Sequence, residues 1–237
     1  MNCLEQKLKC AIINNSVITY PVIIVAAGSS SRMKGIDKLS TDILGISVIE
    51  RTISTFDKSN NICEIVVVTK QDKISEYRKF NTNKPYTVVL GGNSREESVL
   101  CGIKYLNGRY EKALIHDGAR PFVSECVIQN VCEALSTNDS VTCGVKVNNT
   151  IKVVDEDMNA RKTLTRDFLY SIQTPQGISL KLFMNSAEKN NLSLFTDDTS
   201  VLEAEGVITK IVEGDYINIK ITTPEDLLIA KALISKE

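Results

Sequence analysis

Residues 22–39 read VIIVAAGSSSRMKGIDKL, an apolar run that gives way at Ala26, Ala27 and Gly28 to three serines and a group of cations. Val22 to Ala26 offers no polar position to water, so it reads as a strand covered on both faces, as strands are in a mainly parallel sheet flanked by helices. Similar β-branched runs follow at Glu64 to Thr69, Thr87 to Leu90, Ala113 to His116 and Ser140 to Val145. Between them Val48 to Phe56, Lys73 to Phe80, Glu96 to Leu106 and Ser124 to Leu135 carry helical periodicity. Strict alternation of this kind predicts an α/β, Rossmann-like fold, and such sheets hold ligands beyond the carboxyl ends of their strands. Three strand ends stand out there: AAGSSSRM, GGNSREES after Leu90, and HDGARP after Ile115.

The alternation breaks between Lys146 and Tyr170, where two β-rich arms, Thr150 to Val154 and Lys162 to Arg166, flank a polar turn. This predicts a protruding hairpin spanning about 147–170, and an isolated two-stranded ribbon needs a partner surface. Ser179 to Asn190, Thr199 to Glu205 and Pro224 to Ser235 read as helices, the last with Thr223 as cap and Pro224 at its first position. Residues 21–237 are thus expected to form one domain with an arm, preceded by an extension at 1–20.

The 237 residues contain 28 Lys plus Arg against 29 Asp plus Glu, so no global field draws the chain to nucleic acid or to a membrane surface. Its seven cysteines form no Cys-x-x-Cys pair and sit mostly in apolar runs, the pattern of buried thiols in a reducing cytosol. No stretch approaches the roughly 20 apolar residues of a membrane span, and the first 20 residues lack a signal-peptide pattern. The expected location is the cytoplasm.

Any anion site must therefore be local, and residues 28–38 are its candidate: Arg32, Lys34 and Lys38 against Asp37. Gly28 lets the chain turn off the strand with open amides, and Ser29 to Ser31 add small donors, together a nest for phosphate oxygens. The spacing excludes both the P-loop, because Met33 stands where its second glycine belongs, and the dinucleotide loop, because Ser30 does. A solvated Gly-Ser turn is the bland alternative.

The loop resembles that of the sugar-nucleotide type of nucleotidyltransferase. With GGNSREESV, HDGARPFV, NTIKVV, TLTRDFLYSIQTPQ, FTDDTSVLE and NIKITTPEDL in order, the chain from Val22 onward resembles the 2-C-methyl-D-erythritol 4-phosphate cytidylyltransferases. The resemblance implies transfer of a cytidylyl group from CTP to the polyol phosphate with release of pyrophosphate, a divalent metal such as Mg²⁺, and a homodimer joined through the arm. It implies that Ala26, Ala27, Gly28 and Ser29 hold nucleotide and phosphate, that Gly92, Asn93 and Ser98 recognise base and ribose, and that Gly118 lies near the nucleotide. Arg32 and Lys38 would stabilise the transition state, with Lys34 as the fallback for Lys38. Asp117, Arg120, Thr150, Thr174 and Thr196 would surround the polyol phosphate, with Asp117 the one protein group near the metal. Arg166 would reach the neighbouring subunit's site, and Lys220 would bridge the phosphates of both substrates. Asn149 and Thr165 stand where that family commonly has aspartate.

Read from the residues alone, Lys220 lies in the run Ile217 to Ile221, where alternation could face Asn218 and Lys220 to solvent; Arg166 could be a solvated hairpin charge. His116, the sole histidine, reads as structural, because a phosphate nucleophile is already ionised and needs no base. HD-x-x-RPF, QTPQ and NIKITTP also occur in ribitol 5-phosphate cytidylyltransferases, so they fix the transfer better than its acceptor; AAG and TDDTSVLE favour methylerythritol. The molybdenum-cofactor nucleotidyltransferases share the first loop's pattern but not the arm or IQTPQ. A catalytically silent dimeric scaffold is the reading from another class, opposed by the retention of Arg32, Lys38, Arg166 and Lys220.

Overall fold

The computed structural model describes residues 17–28 and 37–235. Strand β1 (Tyr20–Val25) is followed by the short hairpin β2 (Asp42–Ile43) and β3 (Ile46–Ser47), helix α1 (Val48–Lys58), β4 (Ile62–Thr69), the short α2 (Ile74–Tyr77), β5 (Tyr86–Leu90), α3 (Arg95–Leu106) and β6 (Lys112–Asp117). Then come α4 (Glu125–Thr137), β7 (Ser140–Lys146), the arm strands β8 (Lys152–Val154) and β9 (Ala160–Thr163), β10 (Tyr170–Ser179), α5 (Leu180–Lys189), α6 (Asp198–Glu203), β11 (Lys210–Glu213) and α7 (Pro224–Ile234).

Seven strands form one sheet in the order β11-β7-β10-β6-β1-β4-β5. β1 runs parallel to β4 and β6, with Ile23 opposite both Val66 and Ile115. β10 is the exception, antiparallel to β6 and β7. The arm causes this: it takes the chain out from β7 and returns it reversed, so the strand inserts between two neighbours that need no crossover helix.

Successive β1 side chains explain the two layers. Val22 and Ile24 join a core containing Ile49, Ile53 and Phe56 of α1 and Val127, Ile128 and Val131 of α4, whereas Ile23 joins one with Val99 and Ile103 of α3, Phe183 of α5 and Leu202 of α6. Each fully buried aliphatic side chain of this kind contributes about 1.5–3 kcal/mol. Ser47, Ser94, Ser124 and Asp197 each accept a backbone N–H at a helix start, and Thr223 forms a reciprocal capping box with Asp226 ahead of Pro224.

The arm strands are shorter than expected and wholly exposed, and Arg166 lies in the 3₁₀ turn Arg166–Phe168 that follows them. β10 and β11 were not expected from the sequence, and the run Ile217 to Ile221 is not a strand. Asn218 there is fully buried, donating to Thr174 O at 2.9 Å, so the solvent-facing alternative for this run is excluded. Among the described residues, no helix is long and apolar enough to cross a membrane.

Candidate active site

Beyond the carboxyl ends of β1, β4, β5 and β6 the chain approaches itself too closely for side chains. Gly118 N–H donates to Val25 O at 2.9 Å, Ala26 N–H to Val68 O at 2.7 Å and Gly91 N–H to Thr69 O at 2.8 Å. A Cβ on Gly91 would lie 2.8 Å from Ser98 Oγ and 3.0 Å from Ala27 Cβ; one on Gly92 would lie 2.3 Å from Glu97 Cβ. The glycines therefore let Ala27, Gly91 and Gly118 form one bare ledge of main chain, where a flat base and phosphates can approach.

Two donors of this ledge are engaged within the protein. Gly92 N–H donates to Ser98 Oγ at 3.2 Å and Asn93 N–H to Glu97 Oε2 at 2.7 Å. Ser98 is fully buried and its hydroxyl also donates to Ser94 O, so it shapes the turn. Asn93 is exposed, and Gly28 has open space where a side chain would project.

Ser29 and Arg32, like Lys34, lie outside the described residues. Lys38 is half-buried in the turn that closes this loop. Asp37 organises the turn: its carboxylate accepts from Leu39 N–H and Ser40 Oγ, and Lys73 Nζ pairs with it at 2.9 Å. Burial opposes its charge, but the Lys73 ammonium and Ser40 hydroxyl outweigh that and hold the Asp37 carboxyl below its ordinary range. The loop's acid is thus neutralised by Lys73, just ahead of α2.

Beside the ledge opens a cavity of about 500 Å³ lined by Asp117, Arg120, Thr174, Thr196 and Lys220, with Arg95 and Gln176. Five residues expected at the polyol phosphate from sequence blocks far apart here line one cavity. Asp117 is at its centre: Oδ2 meets Lys220 Nζ at 2.8 Å and Arg120 Nε at 3.5 Å, while Oδ1 accepts from Arg95 Nε at 3.4 Å. Burial opposes the charge on Asp117, yet the Arg95 guanidinium, then Lys220 and Arg120, hold its carboxyl far below the usual range. Arg95 is shared with Asp198, whereas Arg120 and Lys220 gather on the single Asp117 carboxylate, so a cation that leaves Asp117 for an incoming phosphate does not strand it.

A hydrogen-bonded chain fixes this wall. Asp117 N–H donates to Thr174 Oγ1 at 3.1 Å, Thr174 Oγ1 lies 3.0 Å from His116 Nδ1, and His116 Nε2 lies 3.0 Å from Arg120 O. A carbonyl only accepts, so the proton resides on Nε2 and Nδ1 accepts from Thr174. Burial pushes the imidazole down to about 4, which keeps it neutral. Gln176 performs the same service for Thr196: its Oε1 accepts the N–H groups of Asp198 and Thr199, and its Nε2 donates to Asp197 at 2.8 Å.

A divalent cation finds little here to hold it directly. Both Asp117 oxygens face cations, and among the described residues no group of three His, Cys, Asp or Glu side chains could chelate a metal. This donor set does not build a resident metal centre, whereas an ion that arrives on phosphate oxygens needs no cage.

Two expected site residues stand apart. Thr150 is exposed on the arm, and Arg166 donates from Nη1 to Asn148 O at 3.0 Å; neither lines the cavity. Arg95, whose partner Asp198 lies 103 positions away, was not anticipated, nor was Gln176.

The family model described as IspD, 2-C-methyl-D-erythritol 4-phosphate cytidylyltransferase, matches residues 20–236. The protein of that name from Caldanaerobacter subterraneus subsp. tengcongensis is 41% identical over 223 residues, spanning 90% of this chain and 98% of its own. Its namesake from Clostridium novyi is 38% identical over 221 residues, or 90% of this chain and 95% of its own. Among solved structures, the 4-diphosphocytidyl-2C-methyl-D-erythritol synthase of Anaerococcus prevotii superposes with a TM-score of 0.81 at 35% identity, covering 93% of this chain and all (100%) of that one. The matched range takes in the ledge, the cavity and the arm together: the chain belongs to the IspD family of 2-C-methyl-D-erythritol 4-phosphate cytidylyltransferases.

Proposed function

We propose that the protein transfers a cytidylyl group from CTP to 2-C-methyl-D-erythritol 4-phosphate, forming 4-diphosphocytidyl-2-C-methyl-D-erythritol and pyrophosphate. The observation that carries this reading is the Asp117-centred cluster of Arg95, Arg120 and Lys220 beside a glycine ledge. CTP lies on the ledge, with its triphosphate assigned to the Gly28–Lys38 stretch on the strength of its sequence. The acceptor's phosphate enters the cavity lined by Arg120, Thr174, Thr196 and Lys220. A phosphate oxygen of the acceptor attacks the α-phosphorus; that P–O bond forms as the bond to the β-phosphate bridging oxygen breaks, and pyrophosphate departs with the displaced charge. No base is required, since the nucleophile is ionised. The protein's task is to hold two anions together and stabilise charge on the α-phosphoryl oxygens. Arg32, forked, and Lys38, a point charge, serve those oxygens, and Lys220 serves both substrates. A divalent ion such as Mg²⁺ would come with CTP and would supply charge neutralisation at the triphosphate, without a cage of protein ligands.

The test is pyrophosphate release with CTP and Mg²⁺, comparing methylerythritol phosphate with ribitol 5-phosphate. Turnover is expected with the first at a kcat/KM at least tenfold higher; preference for the second reassigns the acceptor.

The arm fits a homodimer. Val153, Val154, Met158 and Phe168 are exposed on or beside a ribbon that is marginal alone. In that arrangement Arg166 completes the partner's site. Arg166→Ala and Lys220→Met variants, each inactive alone, are then expected to regain up to about a quarter of wild-type activity when co-refolded, because hybrid dimers hold one intact site. No recovery would place Arg166 in its own subunit's chemistry or in none. Among the described residues, Cys63, Cys101, Cys132 and Cys143 stand as thiols, which fits a cytoplasmic location.

A further inference from the structure

Arg95 occupies the first position of α3, where the helix dipole disfavours a cation and where Glu96 and Glu97 follow as the usual residues. It is held there by partners from elsewhere in the fold. Its Nη1 and Nη2 fork across Asp198 Oδ1 and Oδ2 at 2.8 and 2.7 Å, and Nε, on the third edge of the guanidinium, donates to Asp117 Oδ1 at 3.4 Å. Asp198 begins α6 immediately after the Thr196 wall, and Asp117 ends β6. One planar group thus ties the helix behind the nucleotide ledge to both sides of the acceptor cavity.

We propose that Arg95 is a positioning residue for the transfer reaction, acting through Asp117 on Lys220. With Oδ1 of Asp117 claimed by Arg95, the carboxylate is fixed so that Oδ2 presents to Lys220 at 2.8 Å. The resting place of the Lys220 ammonium, between nucleotide and acceptor, follows from that rotation. Arg95 also anchors the start of α6, so the Thr196 side of the cavity is set by the same fork. Lysine cannot replace it, since a point charge can meet Asp198 or Asp117 but lacks the fixed edges that meet both. The alternative is that Arg95 only neutralises Asp198, whose carboxyl group is 3% exposed and, through burial, holds its proton more tightly than usual despite the ion pair.

Two variants separate these roles, and the inference rests on the cytidylyltransferase reading above. Arg95→Lys keeps the charge beside Asp198 but loses the fork. The double variant Arg95→Gln with Asp198→Asn removes both charges, so neither leaves a buried carboxylate unpaired. Each is expected to lower kcat by roughly tenfold to a hundredfold, the scale of a misplacement of about 1 Å. KM for CTP should stay within about threefold of wild type, because the ledge is untouched. If either folded variant retains kcat within about twofold, Arg95 is only a counter-ion and the inference fails. The same holds if kcat, KM for CTP and thermal stability all deteriorate together in Arg95→Lys, for that is loss of structure. A wild-type protein silent toward both polyol phosphates would instead overturn the functional reading itself, an outcome visible before any variant is made.

Discussion

Lys220→Met is expected to lower kcat for pyrophosphate release by about 10²–10³-fold, the range found when one donor to a developing oxyanion is removed. Its effect on folding should be small. Asp117, which pairs with the ammonium at 2.8 Å, keeps Arg95 and Arg120 when Lys220 is gone, so this buried carboxylate is not stranded. Lys220 is also the most accessible of the three cations, with 34% of its side chain exposed against 29% for Arg95 and 12% for Arg120. That accessibility is what an anion-binding group requires: the lysine can leave Asp117 for a phosphate while the arginines keep the carboxylate in place. Methionine preserves the unbranched stem and removes only the charge. The measurement is steady-state turnover with both substrates saturating, alongside a denaturant melt. A kcat within about threefold of wild type would remove Lys220 from the transition state and return it to a structural partner of Asp117.

How far such a site could be read from the chain depends on what each residue's neighbours reveal. The strands β1, β4 and β6 were legible because they are buried on both faces and therefore carry runs of consecutive apolar residues, Val22 to Val25, Ile65 to Val68 and Ala113 to Ile115, which no solvent-facing strand can. β10 was not, since its sequence YSIQTPQGIS carries polar side chains, a proline and a glycine. It is nonetheless central, and the reason lies in particular residues. The ladder with β7 breaks its register between Ile172 and Gln176, and Pro175 sits in that gap, where no N–H is needed. Gln173 and Gln176 are buried because each is satisfied, Gln173 by Asp215 and Gln176 by the start of α6. Gly177 accommodates Leu135 of α4, whose Cδ2 would lie 2.8 Å from a Cβ. None of these conditions is local, so no periodicity could announce the strand.

The same distinction divides the site. Asp117, Arg120 and Lys220 could be named because each falls in a short block that resembles a known family, and the fold then brings them within hydrogen-bonding reach. Arg95 and Asp198 are each, in sequence, a charged residue at the first position of a helix, one of thousands of such positions in any proteome. Their meaning is the 2.7 Å contact between them, made across 103 residues of chain. The arm shows the converse limit: its existence was visible from two β-rich runs around a polar turn, but the length of its strands was not, because an exposed ribbon has no burial pattern to mark where pairing stops.

His116 should make the fold acid-sensitive in a window set by its burial. The imidazole is fully buried, edge-on to Phe56 with ring centroids 4.7 Å apart, and both nitrogens are engaged in the neutral form. A second proton would add charge beside Arg120 and Lys220 in a site without water contact, and its pKa falls to about 4 from 6.5. The folded-state pKa is thus below the unfolded one, so on acidification the unfolded chain binds the proton first. Stability is complete above pH 6.5 and declines as the pH falls toward 4, by about 2 kcal/mol between pH 7.5 and 5. Asp117 acts lower: its depressed carboxyl contributes stability above the unfolded value of 3.8 and loses it only beneath that. The two windows therefore follow one another, with the histidine first. Urea unfolding at pH 7.5, 6.5, 5.5 and 5 would measure the decline. Other carboxylates contribute to the total slope, so the decisive quantity is the difference from His116→Gln, which keeps a donor within reach of Arg120 O and cannot titrate. That variant is expected to be less stable at pH 7.5 but flatter with pH, the wild-type advantage shrinking as the buffer is acidified. Parallel slopes for the two proteins would mean that His116 is solvated or already partnered as a cation, contrary to the burial that holds it neutral.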